Sequence, residues 1–223
     1  MIEENVKKLL SEIPAKNPFG EKVTLVAAVK LQSVENINRA VAAGITDIGD
    51  NHVQEFREKY AEINGCPKRH FIGRLQTNKI KYLLGKVDLY HSADRYNLAE
   101  ELSTKSLAAG ITSNILLQIN AGKEETKGGF LPEEAETAYK KIKALPALKI
   151  KGIMAMLPLD ASESKLKSLA VEMRKIYDWL RKEDGDFEYL SMGMSGDWKI
   201  CIDAGSNMIR LGTSVFGARN YAK

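Results

Sequence analysis

From end to end this chain alternates short apolar runs with amphipathic segments, and few folds accommodate that rhythm. The runs are Val23–Val29, Ile45–Gly49, His70–Leu75, Val87–Tyr90, Asn114–Asn120, Leu148–Met156, Glu188–Met194 and Met208–Leu211. Each has the length and composition of a buried strand. Helical signals follow most of them. Ser33 is placed to cap a helix carrying Val34, Ile37 and Val41, with Gly44 as its stop. Val53, Phe56, Tyr60 and Ile63 recur at helical spacing, and Thr77 and Gly85 bracket Ile80, Leu83 and Leu84. Asp94 is placed to cap the segment with Leu98 and Leu102, and Pro132 suits the first turn of a helix bearing Ala135, Tyr139 and Ile142. Leu166, Leu169, Met173, Ile176 and Leu180 form the strongest stripe.

Repeated βα units imply a parallel sheet. At about 28 residues per unit, the chain falls near the lower limit of a (β/α)8 barrel of roughly 200 to 250 residues. An open doubly wound sheet would usually carry a glycine-rich turn after its first strand. Here that turn reads Lys30-Leu31-Gln32-Ser33. The expected fold is therefore α/β, a single TIM barrel over residues 1–223, with an extra N-terminal helix within 1–20 built on Val6, Leu9, Leu10 and Ile13.

Composition narrows the function. The 33 basic and 29 acidic residues leave a net charge of +4 spread along the chain, with no basic run interleaved with aromatics, so nucleic-acid binding has little support. Cys66 and Cys201 form no framework and no CxxC pair. The first residues lack a signal-peptide pattern, and no apolar stretch is long enough to span a membrane. A cytoplasmic setting is expected.

In a barrel the chemistry sits at the C-terminal ends of the strands. Those positions carry Lys30, Asp50-Asn51-His52, Arg74, His91, Asn120, Met156, Ser195 and Gly212-Thr213. Lys30 closes the first apolar run. Burying an ammonium is expensive, so such a lysine is either the first solvated residue of a loop or an amine whose neutral form attacks aldehydes. The last two runs end in Ser195-Gly196-Asp197 and Gly212-Thr213-Ser214. Loops there are the usual phosphate site of this fold, where backbone N–H groups and hydroxyls act as donors; as plain helix caps and turns the same residues would do nothing more. Arg210 lies inside an apolar strand and can only donate, so a partner in a ligand pocket must be an acceptor. An aldehyde, a phosphate and an acceptor ring nitrogen on one molecule describe pyridoxal 5′-phosphate.

Several ordered motifs now become legible together: Ala27-Ala28-Val29-Lys30, Ile48-Gly49-Asp50-Asn51-His52-Val53-Gln54-Glu55, His70-Phe71-Ile72-Gly73-Arg74-Leu75-Gln76-Thr77-Asn78-Lys79, Gly152-Ile153-Met154-Ala155-Met156, Leu190-Ser191-Met192-Gly193-Met194-Ser195-Gly196-Asp197 and Ile209-Arg210-Leu211-Gly212-Thr213-Ser214-Val215-Phe216-Gly217-Ala218-Arg219. Over nearly its whole length the chain resembles the YggS/PROSC family of pyridoxal-phosphate-binding, or PLP homeostasis, proteins. The resemblance implies a barrel of PLP fold type III, like the N-terminal domain of alanine racemase, with a Schiff base at Lys30. It places Ser195, Gly212 and Thr213 at the phosphate, Arg210 at the ring nitrogen, Asn51 beside the cofactor, and Met154 and Met194 in the pocket wall. The family usually reads Phe-Gly-Glu-Asn-Tyr where this chain has Ile48-Gly49-Asp50-Asn51-His52, and His where Arg74 stands. These departures fall on the pocket rim, where His52 and Arg74 would change the charge.

Two roles of different class follow. One is an amino-acid racemase of the alanine racemase type. The other is a carrier that buffers or delivers the cofactor, with apo PLP-dependent enzymes as recipients. The resemblance implies that alanine racemase draws a second base, a tyrosine, from a further C-terminal region of its partner subunit, and nothing of that kind is expected after the eighth unit here. The carrier reading, as a monomer with little or no turnover, is therefore preferred. A Schiff-base enzyme for sugar phosphates, without a bound chromophore, is the third reading. The Gly122–Phe130 segment reads as a solvated loop, and His70 and His91 lack neighbours at metal-ligand spacing.

Overall fold

The computed structural model describes residues 1–124 and 126–217. Glu125 in the loop after the fifth run, Ala218-Arg219 of the last motif and the remainder of the expected domain to Lys223 lie outside the described residues. Eight parallel strands close into one barrel in chain order: β1 Thr24–Ala28, β2 Asp47–Asp50, β3 Lys68–Phe71, β4 Leu89–Ala93, β5 Ser113–Ile119, β6 Leu148–Ala155, β7 Tyr189–Ser191 and β8 Met208–Leu211. Around them run α1 Ile2–Glu12, α2 Val34–Ala42, α3 Val53–Lys59, α4 Tyr96–Ala108, α5 Ala135–Lys143, α6 Glu163–Glu183, α7 Trp198–Asp203 and α8 Thr213–Phe216. Closure pairs β1 with β8, Val26 opposite Arg210 and Ala27 opposite Leu211.

Strand alternation sorts the side chains into layers. Leu25, Ala27, Ile209 and Leu211 face outward and pack with α1 and α2, whereas Val26, Leu89, Leu116, Met154 and Met208 meet inside the barrel. Serine caps close two helix starts, the first of them expected from the sequence. Ser33 Oγ accepts from Asn36 N at 3.2 Å, and Ser162 Oγ accepts from Lys165 N at 3.3 Å. The stripe on α6 buries Leu169, Met173 and Leu180, joined by Tyr177. No helix among the described residues is long and apolar enough to cross a membrane.

Several local expectations shift: β7 is Tyr189–Ser191 rather than Glu188–Met194, and β2 is Asp47–Asp50 rather than Ile45–Gly49. β3 is Lys68–Phe71 rather than His70–Leu75, because Arg69 is buried outside the barrel over the rings of Phe56 and Tyr60. β4 is Leu89–Ala93 rather than Val87–Tyr90, because His91 and Ser92 find partners inside the sheet. Asp94 caps nothing: Arg95 is the N-cap of α4, and Asp94 pairs with Arg95 and with Arg74.

Candidate functional site

Lys30 leaves the sheet through a tight turn. Gln32 N bonds to Val29 O at 3.1 Å, and Leu31 sits in the left-handed region at φ 61°. A leucine adopts that conformation only when its surroundings impose it. Here Glu55 on α3 accepts the Leu31 N–H at 2.8 Å and is itself held by Lys59 at 2.8 Å. The turn directs a half-buried Lys30 that makes no hydrogen bond or ion pair within the described residues. By the β1–β8 register, it emerges at the same end as Gly212–Ser214.

Arg210 points into the barrel and is 6% exposed. Its Nη1 donates to Ser191 Oγ at 2.6 Å and its Nη2 to Ala155 O at 3.0 Å, while Nε has no partner among the described residues. A chain of buried groups continues from Ser191. His91 Nδ1 lies 3.1 Å from Ser191 Oγ, His91 Nε2 lies 2.9 Å from His70 Nδ1, and His70 Nε2 lies 3.0 Å from Asp47 Oδ1. The Asp47 carboxylate only accepts, so His70 donates to it from Nε2; with one proton on each ring, His91 then donates to His70, and Ser191 accepts from Arg210 and donates to His91. Each imidazole uses one nitrogen to donate and the other to accept. Burial, His70 and Arg210 hold the pKa of His91 well below the ordinary histidine value, so it stays neutral. Burial also pulls Arg210 down to about 10, which leaves it charged at neutral pH.

The turns after β7 and β8 present unclaimed donors. Met194 N bonds to Asp197 Oδ1 at 2.5 Å, and Trp198 N to Met194 O at 3.0 Å, closing a loop that opens α7. The N–H groups of Ser195 and Gly196, and those of Thr213 and Ser214 at the start of α8, have no partner among the described residues. Ser195 and Ser214 share the wall of a cavity of about 440 Å³ with Lys8 of α1. Asn51 follows β2, half-buried. Its backbone lies so close to Gly73 that a Cβ there would stand 2.8 Å from Asn51 Cα. Met154 is inside the barrel, and Met194 is half-buried in the β7 turn.

The fold thus gathers every sequence-predicted site residue at the C-terminal end or the interior of the barrel: Lys30, Asn51, Met154, Met194, Ser195, Arg210, Gly212 and Thr213. The donor set fits pyridoxal phosphate. An unpartnered amine suits an aldehyde, a buried cation with one free donor suits a ring nitrogen, and unclaimed N–H groups suit a phosphate. His91 is among the strand-end positions read from the sequence, but its link through His70 and Ser191 to Asp47 and Arg210 was not foreseen. The only signal for that link was the polarity of His70, His91 and Ser191 inside otherwise apolar runs. Among the described residues no group of three His, Cys, Asp or Glu side chains is placed for a metal ion.

Residues 2–220 match the alanine racemase N-terminal domain family. The pyridoxal phosphate homeostasis protein of Aquifex aeolicus is 39% identical over 199 residues, covering 88% of this chain and 87% of that one. This chain belongs to the pyridoxal phosphate homeostasis protein family. A member from Escherichia coli is 33% identical over 208 residues, 91% of this chain and 88% of its own length. Among solved structures, PipY of Synechococcus elongatus, with pyridoxal phosphate bound, superposes with a TM-score of 0.85 at 30% identity, covering 97% of this chain and 100% of that one. Alanine racemase of Clostridium difficile shares the barrel, with a TM-score of 0.79 at 13% identity, and this chain spans 56% of its length. The last likeness is one of fold.

Proposed function

We propose that this chain binds pyridoxal 5′-phosphate at the barrel mouth and serves homeostasis of that cofactor, buffering or delivering it with little or no turnover. The observation that carries the reading is Lys30, a half-buried amine left without a partner beside turns of unclaimed N–H donors. In this reading Lys30 supplies the amine, Ser195, Gly212 and Thr213 hold the phosphate, and Arg210 meets the ring nitrogen. Asn51, Met154 and Met194 form the wall.

When bound, the cofactor supplies an aldehyde that condenses with an amine and a ring that draws electrons from the attached carbon. Arg210 opposes the second use. Fixed by Ser191 and Ala155, its charge keeps an adjacent ring nitrogen unprotonated, and such a ring is a weak electron sink. Racemisation also needs an acid and a base flanking the substrate carbon. Both barrel histidines are committed to each other, and burial raises the Tyr189 phenol to about 12. Apo PLP-dependent enzymes are the recipients, and the chain works as a monomer in the cytoplasm. An absorption spectrum tests the reading. Added pyridoxal phosphate should produce a violet band in the wild-type chain and none in Lys30→Ala. A colourless wild-type protein, or an undiminished band in the variant, would reject the site. Steady amino-acid racemisation by the pure protein would reject the carrier role.

A further inference from the structure

Over the C-terminal ends of β2 and β3 lies a cleft of about 640 Å³ into which Arg57, Arg74, Lys79 and Arg95 converge. They come from three segments: α3, the stretch after β3 with its turn Thr77–Tyr82, and the start of α4. Buried Phe71 and Leu75 form part of the lining. Like charges this close repel unless carboxylates are interleaved. A single carboxylate is, the buried Asp94, shared between Arg95 and Arg74 at 3.5 Å. Arg57 has no carboxylate in ion-pair range among the described residues and instead lies 4.1 Å over the Tyr82 ring. Lys79 likewise has none, and stands 6.0 Å from the same ring. Arg95 is further fixed by donating from Nη2 to Leu75 O at 2.9 Å. Four cationic side chains against one carboxylate leave a surplus of three positive charges in one concavity.

Stacking on Tyr82 leaves that surplus charge unneutralised, and the shape of the cleft suits a small molecule. The volume lies in the range of about 300 to 1,000 Å³ typical of ligand pockets. Planar guanidinium forks match phosphate oxygens two at a time. The charge excess exceeds what one phosphate ester neutralises and matches a chain of two. We propose that this cleft binds a small oligophosphate, a molecule carrying two or more linked phosphates. The site is distinct from the turns after β7 and β8, which offer backbone N–H groups rather than forks. Asn51 stands on its border with the cofactor site.

Calorimetric titration of the full chain, with and without added pyridoxal phosphate, tests the proposal using inorganic pyrophosphate, ADP, AMP and sulfate. Pyrophosphate and ADP should bind in both states, with AMP and sulfate at least roughly tenfold weaker. The double variant Arg57→Gln/Lys79→Gln should lose at least about tenfold in pyrophosphate affinity while keeping the violet band of the wild type. Equal affinities for pyrophosphate and ADP would assign recognition to the phosphates alone, and tighter ADP binding would make a nucleotide the ligand; both support the site. Absence of pyrophosphate binding, sulfate or AMP binding equally well, or no change in the double variant overturns it. Because heat rather than colour is read, the result stands even if no violet band forms. If circular dichroism shows the double variant unfolded, Lys79→Gln on its exposed turn replaces it, with the same loss expected and an unchanged affinity overturning the proposal.

Discussion

At the floor of the barrel Glu21 accepts from Arg174 at 2.7 and 3.3 Å, from Asn17 at 2.9 Å and from Arg181, whereas at the mouth Lys30, Arg57 and Lys79 meet no carboxylate among the described residues. Arg174 is pinned further by Gly205 O at 3.0 Å and by the Phe19 ring at 3.8 Å. Gly205, at φ 103°, has to be glycine there, since a Cβ would come within 2.8 Å of Arg174 Cδ. The floor thus ties the segment before β1 to α6 and to the approach to β8. Paired charge ties segments together at one end; at the other, under the proposed functions, the unpaired charges of Lys30, Arg57 and Lys79 meet ligands. The barrel fold generally divides its two faces in this way.

The contrast can be broken most sharply at Lys30. Lys30→Ala should abolish the violet band yet change unfolding free energy by under about 0.5 kcal/mol, because the side chain has no partner to lose. Denaturant titration beside the spectrum checks both halves. Glu21→Gln should do the reverse. It removes one of the two carboxylates on buried Arg174, leaving Asp178 at 2.8 Å, at a cost of about 1.5 to 3 kcal/mol, with uptake of the cofactor unchanged. The same group predicts a pH effect. Burial pushes the Glu21 carboxyl up, but Arg174, Asn17 and Arg181 outweigh it and hold the pKa below its ordinary value. Its stabilisation is therefore full above the unfolded value and lost as pH falls through the lower folded one.

Asp50 should show the opposite slope. Its Oδ2 is buried without a hydrogen bond, 3.6 Å from Arg69 Nη2, and burial raises its pKa to about 6. A raised carboxyl contributes stability that is complete below the unfolded value of 3.8 and disappears as pH rises through about 6. The swing is on the order of 3 kcal/mol, and the change in stability between pH 4 and 7 should differ between the wild type and Asp50→Asn by that total. The smallest change is Ser191→Ala. It strands one donor of Arg210 and Nδ1 of His91, at about 1 to 3 kcal/mol. Under the proposed function it should also move the violet maximum, whereas Ser191→Thr, which restores the hydroxyl, should return it. An unmoved maximum in Ser191→Ala would reduce the buried chain from Asp47 to Arg210 to a packing feature.

Much of the barrel is legible from local pattern. The runs at β1, β5, β6 and β8 lie within a residue of the strands because apolar residues dominate them. β3 and β4 slip where Arg69, His70, His91 and Ser92 interrupt that signal. The mouth is legible for the same reason in reverse: Lys30 and Arg210 stand out against apolar neighbours, and Gly212-Thr213 against a strand end. The buried chain and the floor clamp are not. His91 and Ser191 are separated by 100 positions, and Glu21 and Arg174 by 153.

By itself the amino-acid order determined the βα rhythm, the barrel it implies, and the amine, the guanidinium and the small-residue turns at the strand ends. Those are consequences of side-chain chemistry acting over a few residues. Tertiary structure decided which polar groups are satisfied and which are left open. That depends on closing β1 against β8, which brings Asp47, His70, His91, Ser191 and Arg210 into one interior. It depends equally on folding α3 and α4 around β3, which brings four cations to one cleft. A hydrogen bond reaches about 3 Å, and only the closed barrel sets which distant residues come that near.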